Sequence, residues 1–325
     1  MNNLRDIQVI FGTGPLGMTV MEELLLQYKH VIMVSKSGKA NLADLPKSVE
    51  LVRCDAKNQD MVAEICKRAS VVYNCIGLPY KDWGEFPDIM EGLINGVGQT
   101  NATLVFADNL YAYGPTEGAM TEQTSYHPVG RKTEIRAKMA NQVIDAHNKG
   151  KIKATICRAP DFYGPRVRES ILGSRVIEHL MQGKPVEVIG NIELPHSTIY
   201  IKDFAKGLVL LGSKEASLGQ IWHIPCDETT TLHELIEMCA TELKTTASYR
   251  VANGVMLTIM GIFNPEMREL KETYYQFNRP FIVSHENFHR LFSLNVTPHY
   301  TAIRETIAWF VENQSEKHEN EQEIS

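Results

Sequence analysis

The chain has 325 residues, 43% hydrophobic and 22% charged, a globular composition long enough for one large α/β unit or two domains. A formal net charge of -6, with no Lys/Arg-rich run, gives no electrostatic basis for binding nucleic acid or an anionic membrane surface. The apolar stretch Val255 to Phe263 is too short to span a bilayer and no secretory apolar region follows Met1, so a cytoplasmic protein is expected.

The first predicted strand, Gln8–Phe11, runs into Gly12-Thr13-Gly14-Pro15-Leu16-Gly17 and then the helical pattern Leu16–Gln27. A dinucleotide-binding βα turn requires that order. Gly12 permits the tight turn, Gly14 lets the backbone approach a pyrophosphate, and Gly17 lets helix and strand pack closely. The pyrophosphate then meets the free N–H groups at the helix start. Further strands are predicted at Val31–Ser35, Glu50–Cys54, Val71–Cys75, Thr103–Ala107 and Lys153–Arg158, with helices at Gln59–Arg68, Pro87–Gly98 and Thr133–Asn148 between them. Strands separated by helices predict a Rossmann-type, doubly wound parallel sheet with ligand at the carboxyl ends of its strands.

After Tyr163-Gly164-Pro165 the pattern changes to a smaller C-terminal α+β lobe that carries the substrate site. Helices are predicted at Ile171–Gln182, Ile201–Gly212, Thr231–Leu243, Glu266–Gln276 and Thr301–Val311, with strands at Val186–Ile189, His196–Tyr200 and Ile221–Ile224. The expected division is 1–165 for nucleotide binding, 166–313 mainly for substrate, and a disordered polar tail over 314–325. The six cysteines include no C-x-x-C and read as buried, reduced thiols. No metal is expected.

These pieces together resemble the extended short-chain dehydrogenase/reductase family of NAD(P)-dependent epimerases, dehydratases and reductases, from Val9 to about Val311. Beside the glycine loop, Val52-Arg53-Cys54-Asp55 is similar to the strand end whose aspartate reads the adenine, with Ala56 next to it. Asn74-Cys75-Ile76-Gly77 matches the strand end beside the cofactor, and Leu104–Ala107 followed by Tyr113-Gly114 matches the strand carrying the catalytic serine. Arg158 through Tyr163-Gly164-Pro165 and Ile199–Asp203 resemble the R-x-x-x-x-Y-G-P and V-x-V-x-D segments. After the second strand, Val34-Ser35-Lys36-Ser37-Gly38-Lys39 contains no carboxylate to hold a ribose. Lys36, with Ser35 or Ser37, suits a 2′-phosphate, so NADP is expected as cofactor, with NAD as the alternative.

The resemblance implies a tyrosine and, four residues later, a lysine on one helix face, and this chain lacks them. Around Tyr126-His127-Pro128-Val129-Gly130-Arg131-Lys132-Thr133 the pair becomes Pro128 and Lys132, or Val129 and Thr133. Asn109 stands where the serine belongs. Three readings remain open. A rebuilt oxidoreductase site would use Lys132 on the ribose, Asn109 on the substrate oxygen, Tyr111 or Tyr126 as proton donor and Asp108 as general base, acting on a small carbonyl or sugar-type substrate. A non-catalytic NADP(H)-binding redox sensor is the second, and a nucleotide-sugar epimerase or dehydratase the third. Trp83, Asp161, Tyr163 and His196 are the substrate-side candidates, with Arg166 and Arg168 placed to meet an anion and the aromatic-rich run 274–281 near the pocket mouth. Helices Pro87–Gly98 and Thr133–Asn148 are where a homodimer would form.

Overall fold

The computed structural model describes residues 6–40, 45–252, 254, 256 and 271–323. Elements follow in chain order as β1 (Ile7–Phe11), α1 (Pro15–Leu26), β2 (His30–Ser35), β3 (Glu50–Arg53), α2 (Gln59–Cys66), β4 (Ala69–Asn74), α3 (Phe86–Val97), β5 (Thr103–Asp108), α4 (Arg131–Asn148) and β6 (Lys153–Arg158). Then come β7 (Asp161–Tyr163), α5 (Ser174–Met181), β8 (Val186–Ile189), β9 (Pro195–His196), β10 (Thr198–Tyr200), α6 (Ile201–Gly212) and β11 (Ile221–His223). The described chain closes with β12 (Thr230–Thr231), α7 (Leu232–Glu242), β13 (Tyr249–Ala252), α8 (Glu286–Leu291) and α9 (His299–Glu323).

The central sheet has seven strands in the order β11-β6-β5-β4-β1-β2-β3, and every pairing in it is parallel. Strands buried on both faces need continuous apolar runs, and Val9-Ile10-Phe11 and Leu104-Val105-Phe106 supply them. One face carries α2, α3 and α4 over a core that includes Val9, Phe86, Leu93, Phe106 and Met139. The other carries α1 and α6 over Ile10, Met21, Tyr73, Leu208 and Trp222. A third core, with Val176, Ile177, Leu235, Ile236, Ile303 and Phe310, joins α5, α7 and α9 into the smaller lobe. Strand order reverses between β1 and β4, so the crevice above their carboxyl ends is the ligand position for such a sheet.

The elements differ from the sequence expectation in three places. The lobes are not divided at residue 165: α6 covers the main sheet and β11 extends it beyond β6, so Ile201–His223 lies in the nucleotide lobe. The predicted strand His196–Tyr200 is two short strands, β9 pairing with β12 and β10 with β7, because Ser197 breaks away to accept the Val283 N–H. The last helix runs on to Glu323, over most of the stretch read as a disordered tail; its Glu, Gln and Lys residues have good helix propensity despite lacking an apolar stripe. The apolar run 255–263, apart from residue 256, and the first five residues of the helix expected over 266–276 lie outside the described residues, and 271–277 is helical and then 3-10.

Candidate active site

The glycine loop is shaped by backbone contact. Gly12 has φ +113°, and a Cβ there would stand 2.5 Å from the Cys75 carbonyl oxygen. A Cβ on Gly17 would stand 2.0 Å from the Gly12 carbonyl oxygen, so strand and helix meet only because it is absent. Gly14 is the N-cap of α1, has no side-chain cap, and has open space where its Cβ would be. Pro15 follows at the first helical turn, where its missing N–H costs nothing. Gly77, past the end of β4, has the same open space. The turn therefore packs tightly at Gly12 and Gly17 and leaves the backbone approachable at Gly14 and Gly77, which fits a dinucleotide pyrophosphate on the α1 N-terminus. Thr13 and Leu16 flank the loop, Leu16 packing against both cores that meet there. Cys75 and Ile76 line the β4 side, where burial pushes the Cys75 thiol up to about 12 and makes it unreactive.

The loop after β2 corrects part of the phosphate reading. The hydroxyls of Ser35 and Ser37 are already engaged; both donate to the Lys39 carbonyl, at 3.0 and 3.4 Å, as does Thr13 at 3.5 Å. Lys36 is held by Asp55 at 3.3 Å and Glu85 at 3.5 Å, and these carboxylates raise its pKa. Asp55 also accepts the Lys57 N–H, a strand-end turn that leaves less of its carboxylate for an adenine; Ala56 is buried beneath it. Short local hydrogen bonds capture these polar groups first.

The missing helical pair is accounted for residue by residue. Thr133 is fully buried, and its hydroxyl accepts the N–H groups of Val129 and Gly130 and donates to the Gly130 carbonyl, closing the first turn of α4. Val129, in the tyrosine register, is exposed. Lys132 is buried, its ammonium 3.7 Å from the centre of the Tyr80 ring. The Glu272 carboxylate, from the smaller lobe, accepts the Lys132 N–H at 2.5 Å and that of Thr133 at 3.4 Å, the place where a helix start favours an anion. A cavity of about 640 Å³ opens beside it, lined by Pro115, Val129, Lys271, Glu272, Tyr274 and Tyr275.

Asp108 is not a general base. It ends β5 directly opposite Arg158 in the β6 register, and its carboxylate oxygens meet Arg158 Nε at 3.0 Å and Arg136 Nη1 at 3.4 Å with its side chain fully buried. Two guanidiniums engage both of its oxygens in a buried ion-pair network that spans β5, β6 and α4. Arg158 further donates to the Tyr126 hydroxyl at 2.8 Å and stacks between Tyr113 and Tyr126, so Tyr126 belongs to this network and not to a proton path. Asn109 uses its side-chain oxygen to accept the Tyr111 N–H, an Asx turn that aims Tyr111.

Tyr111 is where the site converges. Its ring stacks on Trp83 at 5.9 Å, and its hydroxyl is hydrogen-bonded to Tyr80 and Gln276. Burial first, then Tyr80 and the Asp161 charge, hold its pKa well above the ordinary phenol value. Trp83 itself is buried beneath its own loop, donating to the Leu78 carbonyl, with the Arg136 guanidinium 4.6 Å from its ring centre; it supports Tyr111 and does not face a ligand. Asp161 and His196, 35 residues apart, meet at 2.9 Å, with His196 stacked between Phe277 and Phe281. Tyr163 is not in the pocket: it is buried and hydrogen-bonded to His299 at 3.0 Å. Arg166 and Arg168 are likewise not free for a substrate anion, being paired with Glu22 and Glu178.

Tyr80, Arg136, Glu272 and Gln276 were missed by sequence reasoning. Only Arg136 had a signal, one helical turn beyond Lys132 on the same face. The hydroxyl of Tyr275 and the side-chain oxygen of Gln276 are buried with no hydrogen-bond partner, which marks unmet polar capacity in the segment that reaches Tyr111. Among the described residues, no group of three or more His, Cys, Asp or Glu is placed to hold a metal ion, and no helix is long and apolar enough to cross a membrane.

The NAD dependent epimerase/dehydratase family matches residues 8–224. Among curated proteins, an uncharacterized UDP-glucose epimerase of Bacillus subtilis is 26% identical over 139 residues, spanning 42% of this chain and 43% of that protein. Among solved structures, dTDP-glucose 4,6-dehydratase of Bacillus anthracis in complex with NAD superposes with a TM-score of 0.80 at 16% identity, covering 95% of this chain and 98% of that one. UDP-N-acetylglucosamine 4-epimerase of Methanobrevibacter ruminantium, in complex with UDP-N-acetylmuramic acid, gives 0.79 at 15% identity over 95% and 99% of the two chains. At such identity the likeness establishes the Rossmann-type fold across both lobes.

Proposed function

Because the chain belongs to the NAD dependent epimerase/dehydratase family, we propose that it is an NADP-dependent oxidoreductase that reduces a small carbonyl compound, with Tyr111 as the proton donor. The dinucleotide, when bound, supplies a hydride to the carbonyl carbon. The chain's own part is to seat the pyrophosphate on the α1 N-terminus and to give a proton to the oxygen that becomes an alkoxide.

The observation that carries this reading is the state of Tyr111. Its phenol, aimed by the Asn109 turn just past the carboxyl end of β5 and stacked on Trp83, is protonated at neutral pH like any phenol and can donate to a nascent alkoxide, while burial raises its pKa further. The same environment opposes the tyrosinate that an epimerase needs in order to begin by oxidising a hydroxyl. Lys132 supports the donor from behind: its ammonium stands over Tyr80, and Tyr80 is hydrogen-bonded to Tyr111. We assign Asp161 and His196, a polar pair whose imidazole is stacked between two aromatic rings, to the substrate side. The lack of a carboxylate in Ser35–Lys39 favours NADP over NAD. The outward faces of α3 and α4 carry Asp88, Glu91, Arg131, Glu134 and Lys138, so a homodimer formed there is polar and weakens with salt.

A non-catalytic NADP(H)-binding module is the second reading, and Val129 and Thr133 in the register of the family's pair favour it. The two are separated by following NADPH absorbance against a panel of aldehydes, ketones and enones. The enzyme reading expects turnover that Tyr111→Phe lowers by roughly 10²- to 10⁴-fold and Tyr126→Phe leaves within a few-fold. Turnover insensitive to Tyr111→Phe removes the assigned donor.

A further inference from the structure

Resting on the NADP reading, we infer that the 2′-phosphate is held by Arg53 at the end of β3 together with Lys39, and not by the serines and lysine that follow β2. Around the end of β2 the groups suited to a phosphate are already engaged. Three hydroxyls suited to a phosphate, those of Thr13, Ser35 and Ser37, all donate to the Lys39 carbonyl. The Lys36 ammonium lies between the carboxylates of Asp55 and Glu85, and Lys57 pairs with Glu85 at 2.9 Å. A dianion arriving there would have to break those pairs.

Arg53 is differently placed. It sits opposite Ser35 in the β2–β3 register, so it is a direct neighbour of the strand end above which the adenosine ribose of a doubly wound fold lies. Gly38 bends the loop back over it with φ +69°, and the position of a Gly38 Cβ is 3.0 Å from the Arg53 Cβ and 3.5 Å from its Cδ. The loop thus lies on the aliphatic stem of Arg53 and fixes the direction of its side chain. Among the described residues its guanidinium has no ion pair, hydrogen bond or ring contact, and Lys39, next after Gly38, has no ion pair for its ammonium. Both residues are exposed. A planar fork held by packing, beside a second mobile cation, matches the three oxygens of a phosphomonoester. Binding one would also fasten the loop across the ribose edge.

The test is binding of 2′,5′-ADP and 5′-ADP, together with NADPH and NADH, to the full chain, by calorimetry and by nicotinamide fluorescence. Neither readout requires turnover or a known substrate. Arg53→Ala is expected to weaken 2′,5′-ADP and NADPH roughly ten- to hundredfold and leave 5′-ADP and NADH within about twofold. Arg53→Lys should recover part of the loss, and Lys39→Ala should weaken the same two ligands by a smaller factor. Equal weakening of all four ligands, or none, overturns the assignment to Arg53. Wild-type protein that binds 2′,5′-ADP no better than 5′-ADP overturns the phosphate site but leaves dinucleotide binding intact. Failure of every ligand overturns the cofactor reading and this inference with it.

Discussion

Two glycines of the same loop should respond to alanine in opposite ways. Gly14 has φ -77° and ψ -177°, extended backbone open to any L-residue, and nothing within 4 Å of its would-be Cβ. Alanine there restricts the unfolded chain, a gain of about 0.4–1 kcal/mol, against a loss of similar size because alanine is a poorer N-cap than glycine. Stability should therefore change by no more than about 0.5 kcal/mol. The methyl group, however, occupies the space a pyrophosphate must enter, so dinucleotide affinity should fall at least about tenfold, or ~1.4 kcal/mol. Gly17→Ala forces a methyl to 2.0 Å from a backbone carbonyl oxygen, and α1 must move away from β1 to relieve it. Overpacking of that kind costs about 1–3 kcal/mol, less the ~1 kcal/mol that alanine returns within a helix. Urea denaturation gives the stabilities and NADPH fluorescence titration the affinities. A Gly14→Ala protein that binds NADPH like wild type refutes the cradle, whatever Gly17→Ala does.

Other perturbations follow from the buried polar groups. Asp108→Asn leaves two guanidiniums with no counter-charge and should cost about 3–5 kcal/mol in urea denaturation; a loss under about 1 kcal/mol would show that the network is not structural. His223 hydrogen-bonds the Tyr113 hydroxyl and the Ser284 carbonyl, and burial lowers its pKa to about 3. The unfolded chain then binds a proton that the folded chain refuses, so stability falls as pH drops from about 6.5 towards 3, by up to ~1.4 kcal/mol per pH unit. His223→Asn should flatten that slope between pH values of about 6 and 4, and an unchanged slope would assign it to other groups. All six cysteines are buried, with Cys66, Cys75, Cys226 and Cys239 pushed up to about 12, so native protein should resist a disulfide-exchange reagent until denatured; rapid labelling of any one would contradict that burial.

The nucleotide lobe was legible because its signals are local. A buried strand, a glycine turn and an amphipathic helix occupy adjacent residues, and β6 and α6 fall on the stretches their periodicity predicts. The smaller lobe was less legible because periodicity does not say which sheet an element joins. The pattern of Ile221–His223 is that of any short strand, and only its packing beyond β6 returns it to the first lobe. Site residues divide along the same line. Gly12, Gly14 and Gly17 act through their own backbone, which sequence spacing reveals. Asp108, Tyr126 and Tyr163 are settled by partners far along the chain, at Arg158 and His299, so their polarity read as chemistry when it is structure. The engagement of Ser35 and Ser37 has a local cause, a loop that turns both hydroxyls onto one carbonyl. The pairing of Asp161 with His196 had no signal in the spacing at all.

The most direct test of the account is transfer of deuterium from NADPH labelled at the nicotinamide C4 into a pool of small carbonyl metabolites, read by mass spectrometry. The account predicts that at least one compound gains one deuterium on a newly formed carbinol carbon, and that Tyr111→Phe suppresses the signal while NADPH still binds. Tight NADPH binding with no deuterium in any compound, in wild type as in the variant, would contradict catalysis and leave a binding module.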